Sequence, residues 1–196
     1  MKPILFNTKM TLATLENRKT QTRRLVSPTP PADARLVMTP DKRNGWDESR
    51  EIPELGPDDR RVYYPRYYPG DILYVRETWA EWSGGYVFKA DSMPSYPHSF
   101  VDRWHPSIHM PREAARIFLR VTDVRVERLR EITDKGARAE GCGDPDVIYY
   151  NGALTCEFAE LWDSTIKPAR RELCGWAANP WIFVYEFERC EKPRTQ

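Results

Sequence analysis

The chain has 196 residues, which suits one domain, and 30 Lys and Arg against 29 Asp and Glu give a formal net charge of +1. This balance excludes a global positive field that would attract nucleic acid, so any basic site must be local. With no apolar run long enough to span a membrane, no signal peptide and no Cys-x-x-Cys pair, we expect a cytoplasmic protein with free thiols.

The first elements are a strand, a helix and an extended segment. Residues 3–6 form a short apolar run that predicts the strand, and Asn7 or Thr8 can cap the helix that follows. We expect the helix to end near Asn17, because asparagine tolerates the left-handed conformation at a helix C-terminus. Residues 19–24 would then leave the helix and run extended.

A long excursion follows the extended segment. Residues 27–66 are poor in aliphatic side chains and rich in Pro, Asp and Arg, with Trp46 as a candidate anchor. Loops of this length are more often functional or disordered than inert. We therefore interpret the region as a loop insertion in a single domain over residues 1–196. The prolines of residues 92–113 predict a second loop region.

The middle of the chain predicts a strand and a hairpin. The turn signal at residues 69–71 precedes a strand over residues 72–79. Gly84 and Gly85 indicate a hairpin turn, and residues 86–90 then supply the partner strand.

The second half of the chain alternates strands and short helices. The apolar run over residues 115–129 predicts the longest strand, with a bulge where its phase slips at residues 122–123. Residues 133–139 and 156–162 predict short helices, and residues 181–188 predict a final strand. These elements together predict an α+β fold, a small curled β-barrel with short peripheral helices and long loop insertions.

Residues 17–24 carry the strongest chemical signal. Lys19 and Thr22 lie three positions apart beside Arg23 and Arg24. A threonine hydroxyl is a poor nucleophile unless a base takes its proton, and a lysine can be that base if burial and neighbouring cations lower its pKa. The other interpretation is a solvated basic face, or a phosphate-binding patch without chemistry.

Blocks along the chain also resemble a known family. Four blocks resemble the ASCH domain in their residues and in their order along the chain. They are the segment around Lys19, a later turn and strand, and parts of two further strands: residues 17–24, 69–73, 120–122 and 183–187. The resemblance implies a PUA-like β-barrel. It covers both ends of the chain and most of its middle, but not residues 27–66. Residues 76–79 and 109–112 are similar to ASCH proteins of bacteriophages and prophages.

The family signature, Gly-x-Lys-x-x-Glu-x-Arg, gives this resemblance its functional content. Lys19 and Arg24 match the signature lysine and arginine, and Asn17 replaces the glycine. Thr22 stands where many members carry glutamate. A threonine at this position is also found in the amidohydrolase branch, which removes the acetyl group from N(4)-acetylcytidine. That branch uses the lysine, the threonine and a glutamate from a later helix, which the resemblance places at Glu140. The chain is much longer than those compact amidohydrolases, so its extra loops could reshape the substrate pocket.

The resemblance implies acyl transfer through Thr22. Lys19 would take the hydroxyl proton, and Arg24 or a backbone amide would hold the oxyanion. Glu140 would orient Lys19 or return a proton to the leaving amine. This chemistry needs no cofactor, and the expected partner is a modified pyrimidine nucleoside or RNA.

Three further residues are candidates for substrate binding together with Arg24: Arg76, Glu77 and Trp79. Glu77 would share a strand face with Leu73 and Val75. A carboxylate on such an apolar face is either paired, for example with an arginine, or lines a pocket.

A nucleic-acid-binding module, with or without ribonuclease action, is the competing function. PUA-like barrels often bind RNA, whose phosphates four basic residues could neutralise: Arg18, Lys19, Arg23 and Arg24. Bases could stack on three tryptophans: Trp79, Trp82 and Trp104. The prolines around His105 and His109 argue against a helical pair of metal ligands, so we expect no metal site.

Overall fold

The computed structural model describes residues 1–30, 34–41, 47–56, 63–91 and 101–193. Within these residues the fold is α+β, with a five-stranded mixed sheet, two two-stranded ladders and short helices. Of the helices described, none combines the length and the apolar character that crossing a membrane requires.

The predicted order at the start of the chain is confirmed. The first three elements are β1 (Lys2–Leu5), α1 (Thr8–Leu15) and β2 (Gln21–Leu25). Asn7 caps α1, because its side-chain oxygen accepts a hydrogen bond of 2.8 Å from the Met10 amide. Asn17 has a φ of 58°, the left-handed conformation expected just after the helix.

The main sheet has the strand order β1-β5-β8-β9-β2. Its later strands are β5 (Ile72–Arg76), β8 (Phe118–Arg128) and β9 (Trp181–Cys190). β1 pairs with β5 in parallel, and the other pairs are antiparallel. The predicted bulge in β8 is confirmed by a register shift between Val121 and Asp123.

The sheet is curled. β1 and β2 are its two edges among the described strands, yet the Arg24 Nη2 atom on β2 donates a 2.8 Å hydrogen bond to the Leu5 carbonyl on β1. The two edges therefore approach each other across one face of the sheet, which we call the concave face.

Each face of the sheet carries its own core. On β9, Phe183, Tyr185 and Phe187 pack on the concave face, while Ile182 and Val184 pack on the opposite face. This alternation follows from the two-residue period of a strand, and it explains why β9 is apolar almost throughout. The opposite face is covered by two helices, α2 (Asp134–Ala139) and α3 (Ala153–Thr165).

The region 27–66 is more than a loop. It contains an antiparallel pair of strands, β3 (Arg35–Asp41) and β4 (Asp47–Gly56). Ala34, Tyr63 and Tyr67 are buried in the concave-face core, so residues near both ends of the insertion are attached to the sheet. The proposed anchor Trp46 lies outside the described residues, as do residues 92–100.

The predicted strand over residues 72–79 is divided in the structure. β5 ends at Arg76, and Trp79 begins a hairpin of β6 (Trp79–Trp82) and β7 (Gly85–Phe88). The turn residues are Ser83 and Gly84, with φ of 49° and 78°, so the turn lies one residue before the predicted one. A short helix α4 (Arg171–Cys174) precedes β9.

The contact between α1 and the end of α2 has no room for a side chain at Gly141. Thr133 caps α2 through a 3.2 Å hydrogen bond from the Gly136 amide, and Gly141 follows the helix with a φ of 96°. A Cβ atom at Gly141 would lie 2.7 Å from the Cβ of Ala13 in α1.

Gly141→Ala should therefore lower the free energy of unfolding by about 1–3 kcal/mol, through the positive φ and the short contact together. Urea unfolding of Gly141→Ala, Ala13→Gly and the double variant measures the two causes separately. Ala13→Gly removes the contact but not the backbone strain, so we expect a favourable coupling of about 1 kcal/mol between the substitutions. Additive effects would show that the close approach does not matter.

Candidate active site

The candidate site lies at the free edge of the sheet, where β2 alternates its side chains between the two faces. Thr22 pairs with Tyr185 of β9 and shares the concave face with Arg24. Arg23 pairs with Val184 and projects to the face that α2 and α3 cover. Arg23 therefore lies on the opposite face of the sheet from its chain neighbours Thr22 and Arg24.

Lys19 and Glu140 form a buried ion pair just before β2. The Lys19 Nζ atom lies 2.5 Å from Oε2 of Glu140 and 2.9 Å from its backbone oxygen. Both positions are fixed by backbone contacts, since the Lys19 amide donates to Ala13 of α1 and the Thr20 amide donates to Ala139 of α2. Lys19 of the sequence motif and the distant residue Glu140 are thus in direct contact.

Glu140 reaches around the edge of β2 to a second cation. Its Oε1 atom lies 3.2 Å from Nη1 of Arg23, whose other nitrogens donate to Oε1 of Glu127 at 2.8 and 3.2 Å. Arg23 is buried, so both carboxylates offset the cost of desolvating its charge. Sequence reasoning missed Glu127, because its proximity depends on the register of β8, β9 and β2.

The Thr22 hydroxyl is buried and has no hydrogen-bond partner among the described residues. An unsatisfied buried hydroxyl is unfavourable, and each such group in a native structure calls for an explanation. Thr22 lines a cavity of about 380 Å³, which we call the Thr22 cavity and which is within the usual size range of small-molecule sites. Its other walls include Phe6, Met10, Arg24, Glu140, Phe158 and Trp162.

Burial dominates the electrostatics of Lys19. Desolvation lowers the pKa of its amine from the ordinary value, and the charge and hydrogen bond of Glu140 partly oppose that effect. The charge of Arg24 lowers the Lys19 pKa further. A lysine in these surroundings gives up its proton more readily than one at the surface.

Two of the other predicted binding residues, Arg76 and Glu77, lie outside the Thr22 cavity. The Arg76 Nε atom donates to the Met110 carbonyl at 2.9 Å. Glu77 is buried and accepts two hydrogen bonds from Arg116, at 2.9 and 3.0 Å. Of the two alternatives for Glu77, the structure has the arginine pair, although desolvation still raises the Glu77 pKa.

Trp79 is also separated from the Thr22 cavity. It is buried, with its ring centroid 5.6 Å from that of Tyr86 and 4.9 Å from that of His105. The neighbouring Thr78 lines the cavity, together with Ser107. Of the four predicted binding residues, the structure brings only Arg24 to Thr22.

Within the described ranges, no three His, Cys, Asp or Glu residues stand together in a way that could hold a metal ion. Cys142 is buried close to the pair of Lys19 and Glu140, and desolvation raises the pKa of its thiol to about 12. The thiol is therefore protonated at neutral pH and does not supply a nucleophile here.

Comparison of the chain with protein-family models, curated proteins and solved structures gave no match. The ASCH resemblance therefore stays a prediction from the sequence blocks.

The lysine pKa can be tested directly. Glu140→Gln should lower the Lys19 pKa further, because both interactions with Glu140 raise it, and NMR titration of the Lys19 side chain measures this. A lowered folded-state pKa means that the unfolded chain holds more protons just below pH 10.5, so stability rises with pH in that interval. Because Glu140→Gln lowers the folded-state pKa of Lys19 further, it should widen the pH range over which stability rises. Glu160→Gln, at an exposed position, should leave the Lys19 pKa unchanged.

The pair of Glu77 and Arg116 predicts a separate effect of pH. Arg116→Met leaves a buried carboxylate without its cation, which should cost about 2–4 kcal/mol at neutral pH. The Glu77 pKa would rise further, so the loss should be small where Glu77 is protonated and should grow as pH rises above 4.5. Unfolding measured across pH checks this, with exposed Arg112→Met as control. A loss independent of pH would contradict the assignment.

Proposed function

We propose that the protein is an amidohydrolase that removes an acyl group from an N(4)-acylated cytosine nucleoside. The observation that carries the proposal is the buried pair of Lys19 and Glu140 beside a cavity lined by Thr22, whose hydroxyl has no partner in the part of the chain that the structure describes. These are the three residues that the family resemblance assigns to catalysis: Lys19 and Thr22 belong to one segment, and Glu140 lies more than a hundred residues later. Base-assisted nucleophilic attack requires a hydroxyl, an amine that can take its proton and a group that orients the amine, and these three residues supply them.

The first half of the reaction forms an acyl-enzyme. Desolvation favours a neutral Lys19 amine, which takes the Thr22 proton as the threonine oxygen bonds to the acyl carbon. The developing oxyanion lies near Arg24, which lines the same cavity. When the C–N bond breaks, the proton returns to the exocyclic nitrogen of cytosine, with Glu140 steadying the ammonium. Water then hydrolyses the threonine ester and releases the acid.

Lys19 hydrogen-bonds Glu140 rather than Thr22 in the structure. The mechanism therefore requires the amine to turn toward Thr22 when substrate binds. Catalytic hydrogen bonds are often formed only in the complex with substrate. A lysine side chain can make this movement without displacing the backbone contacts that hold the site.

We also propose that the fold is a PUA-like barrel. The curled sheet supports it, since a side chain on edge strand β2 hydrogen-bonds the backbone of edge strand β1. Short helices lie against the outside of this sheet, as the family resemblance implies.

The competing function, a nucleic-acid-binding module, is less favoured by the positions of its four basic residues. Lys19 and Arg23 are buried and paired with carboxylates. Arg18 pairs with Glu16. Among the four, Arg24 alone has no carboxylate partner within the described part of the chain, and one cation is a small electrostatic footprint for a polyanion.

Turnover of a panel of N(4)-acylated cytosines and cytidines, read by absorbance, tests the proposal. Thr22→Val keeps the shape of the side chain and removes the hydroxyl, so it should reduce kcat by at least about 10³-fold. Lys19→Ala should reduce it comparably. Thr11→Val is a matched control, because Thr11 is another buried threonine whose hydroxyl has no partner among the residues described, and we expect it to retain activity.

Two results would contradict the proposal. A Thr22→Val protein with the parent rate would exclude the nucleophile. The absence of turnover on every acylated substrate, together with strongly salt-dependent affinity for RNA, would favour the binding module instead. Cleavage of a labelled RNA would point to ribonuclease action.

A further inference from the structure

A second cavity adjoins the Thr22 cavity at Arg24. It measures about 560 Å³, and because Arg66 lies in its wall we call it the Arg66 cavity. Leu5 and Arg24 line both cavities, so the two spaces meet along the curled edge of the sheet. A ligand held beside Thr22 can therefore extend past Arg24 into the second space.

The Arg66 cavity is cationic. Its described lining contains Arg24 and Arg66, and none of the described lining residues is acidic. The Arg24 guanidinium donates to the Leu5 carbonyl, and no carboxylate of the described residues pairs with either arginine. Two other arginines described above, the buried Arg23 and the exposed Arg116, each contact two carboxylates.

Arg24 and Arg66 face one cavity with no carboxylate of the described residues paired to either, and their like charges repel each other. Burial is the main cause that lowers the pKa of Arg24; the charge of Glu140 opposes it, and the charge of Arg66 adds a smaller lowering. An anion between the two guanidinium groups would relieve this repulsion, and arginine is well matched to phosphate oxygens because of its planar set of donors.

The aromatic walls give the cavity a fixed shape. The Tyr185 hydroxyl accepts a 3.0 Å hydrogen bond from the Arg66 amide, and the Tyr67 hydroxyl donates to the Pro3 carbonyl at 2.6 Å. The Arg66 backbone is thus held against the sheet, while its guanidinium lies over the Tyr67 ring, 5.6 Å from the centroid. Tyr64 is exposed at the same cavity and offers a face for a ribose or a base.

We propose that Arg24 and Arg66 bind a phosphate group, so that the substrate is a phosphate-bearing form of the acylated cytosine nucleoside and not the free nucleoside. The phosphate belongs either to a mononucleotide or to the backbone of an oligonucleotide. This assignment rests on the proposed function for the orientation of the substrate, with the acylated base beside Thr22. The cationic cavity itself does not depend on it.

Kinetics with matched substrates test the assignment in the full chain. The substrates are N(4)-acetylcytidine, its 5′- and 3′-monophosphates, and a short oligoribonucleotide with one acetylated cytosine. We expect kcat/KM for a phosphorylated form to exceed that for the nucleoside roughly tenfold at low salt. Arg66→Gln should reduce this ratio roughly tenfold, whereas Arg130→Gln, the same change at an exposed position, should not.

The substrates also distinguish the source of the phosphate. Preference for a monophosphate supports a mononucleotide, and preference for the oligonucleotide alone supports a polymer. Equal kcat/KM for all four substrates, or a preference that survives Arg66→Gln, would overturn the assignment while leaving the amidohydrolase proposal intact.

Binding of the reaction products tests the phosphate site independently of the amidohydrolase activity. Calorimetry with cytidine and with cytidine 5′- and 3′-monophosphates requires no turnover. Tighter binding of a monophosphate that is lost in Arg66→Gln, in a protein inactive on every acylated substrate, would support the phosphate site and contradict the amidohydrolase. Equal affinities for cytidine and both monophosphates would count against the phosphate site.

Discussion

The buried carboxylate of Glu140 is the constraint on which the site depends. A charge removed from water is tolerated only if cations and hydrogen bonds replace its hydration, and Glu140 has Lys19 at one oxygen and Arg23 at the other. These three side chains join the end of α1, the start of β2 and the end of α2. Loss of any one of them would leave the others buried with incomplete pairing. The pairing therefore fixes where the helices end relative to the sheet.

The position of this cluster at an edge strand explains how one carboxylate serves both faces. In the middle of a sheet, a neighbouring strand would occupy this edge of β2, and one carboxylate could not reach both Lys19 and Arg23. At the free edge of β2 the end of α2 takes the place of a further strand, and the Thr20 amide donates to the Ala139 carbonyl at 2.8 Å. This contact satisfies an exposed edge group and brings Glu140 beside Lys19.

Local signals in the sequence predicted local structure. The cap at Asn7, the left-handed Asn17 and the capped helix after Thr133 each depend on a few adjacent residues. The contacts of Glu127 and Arg116 could not be predicted, because they depend on the order and register of strands far apart in sequence. The strands within 27–66 were missed for a different reason, since that region is poor in the aliphatic residues by which a strand is recognised.

The adjacent Arg23 and Arg24 show how a strand gives two identical residues different functions. Side chains alternate between faces, so Arg23 reaches the two carboxylates on the helix-covered face and Arg24 projects to the concave face, where it lines both cavities. Arg23 needs the forked guanidinium, because a single ammonium could not contact Glu127 and Glu140 in this geometry. Its charge is neutralised within the protein. Among the described residues, no carboxylate is hydrogen-bonded to Arg24, whose guanidinium donates instead to the Leu5 carbonyl.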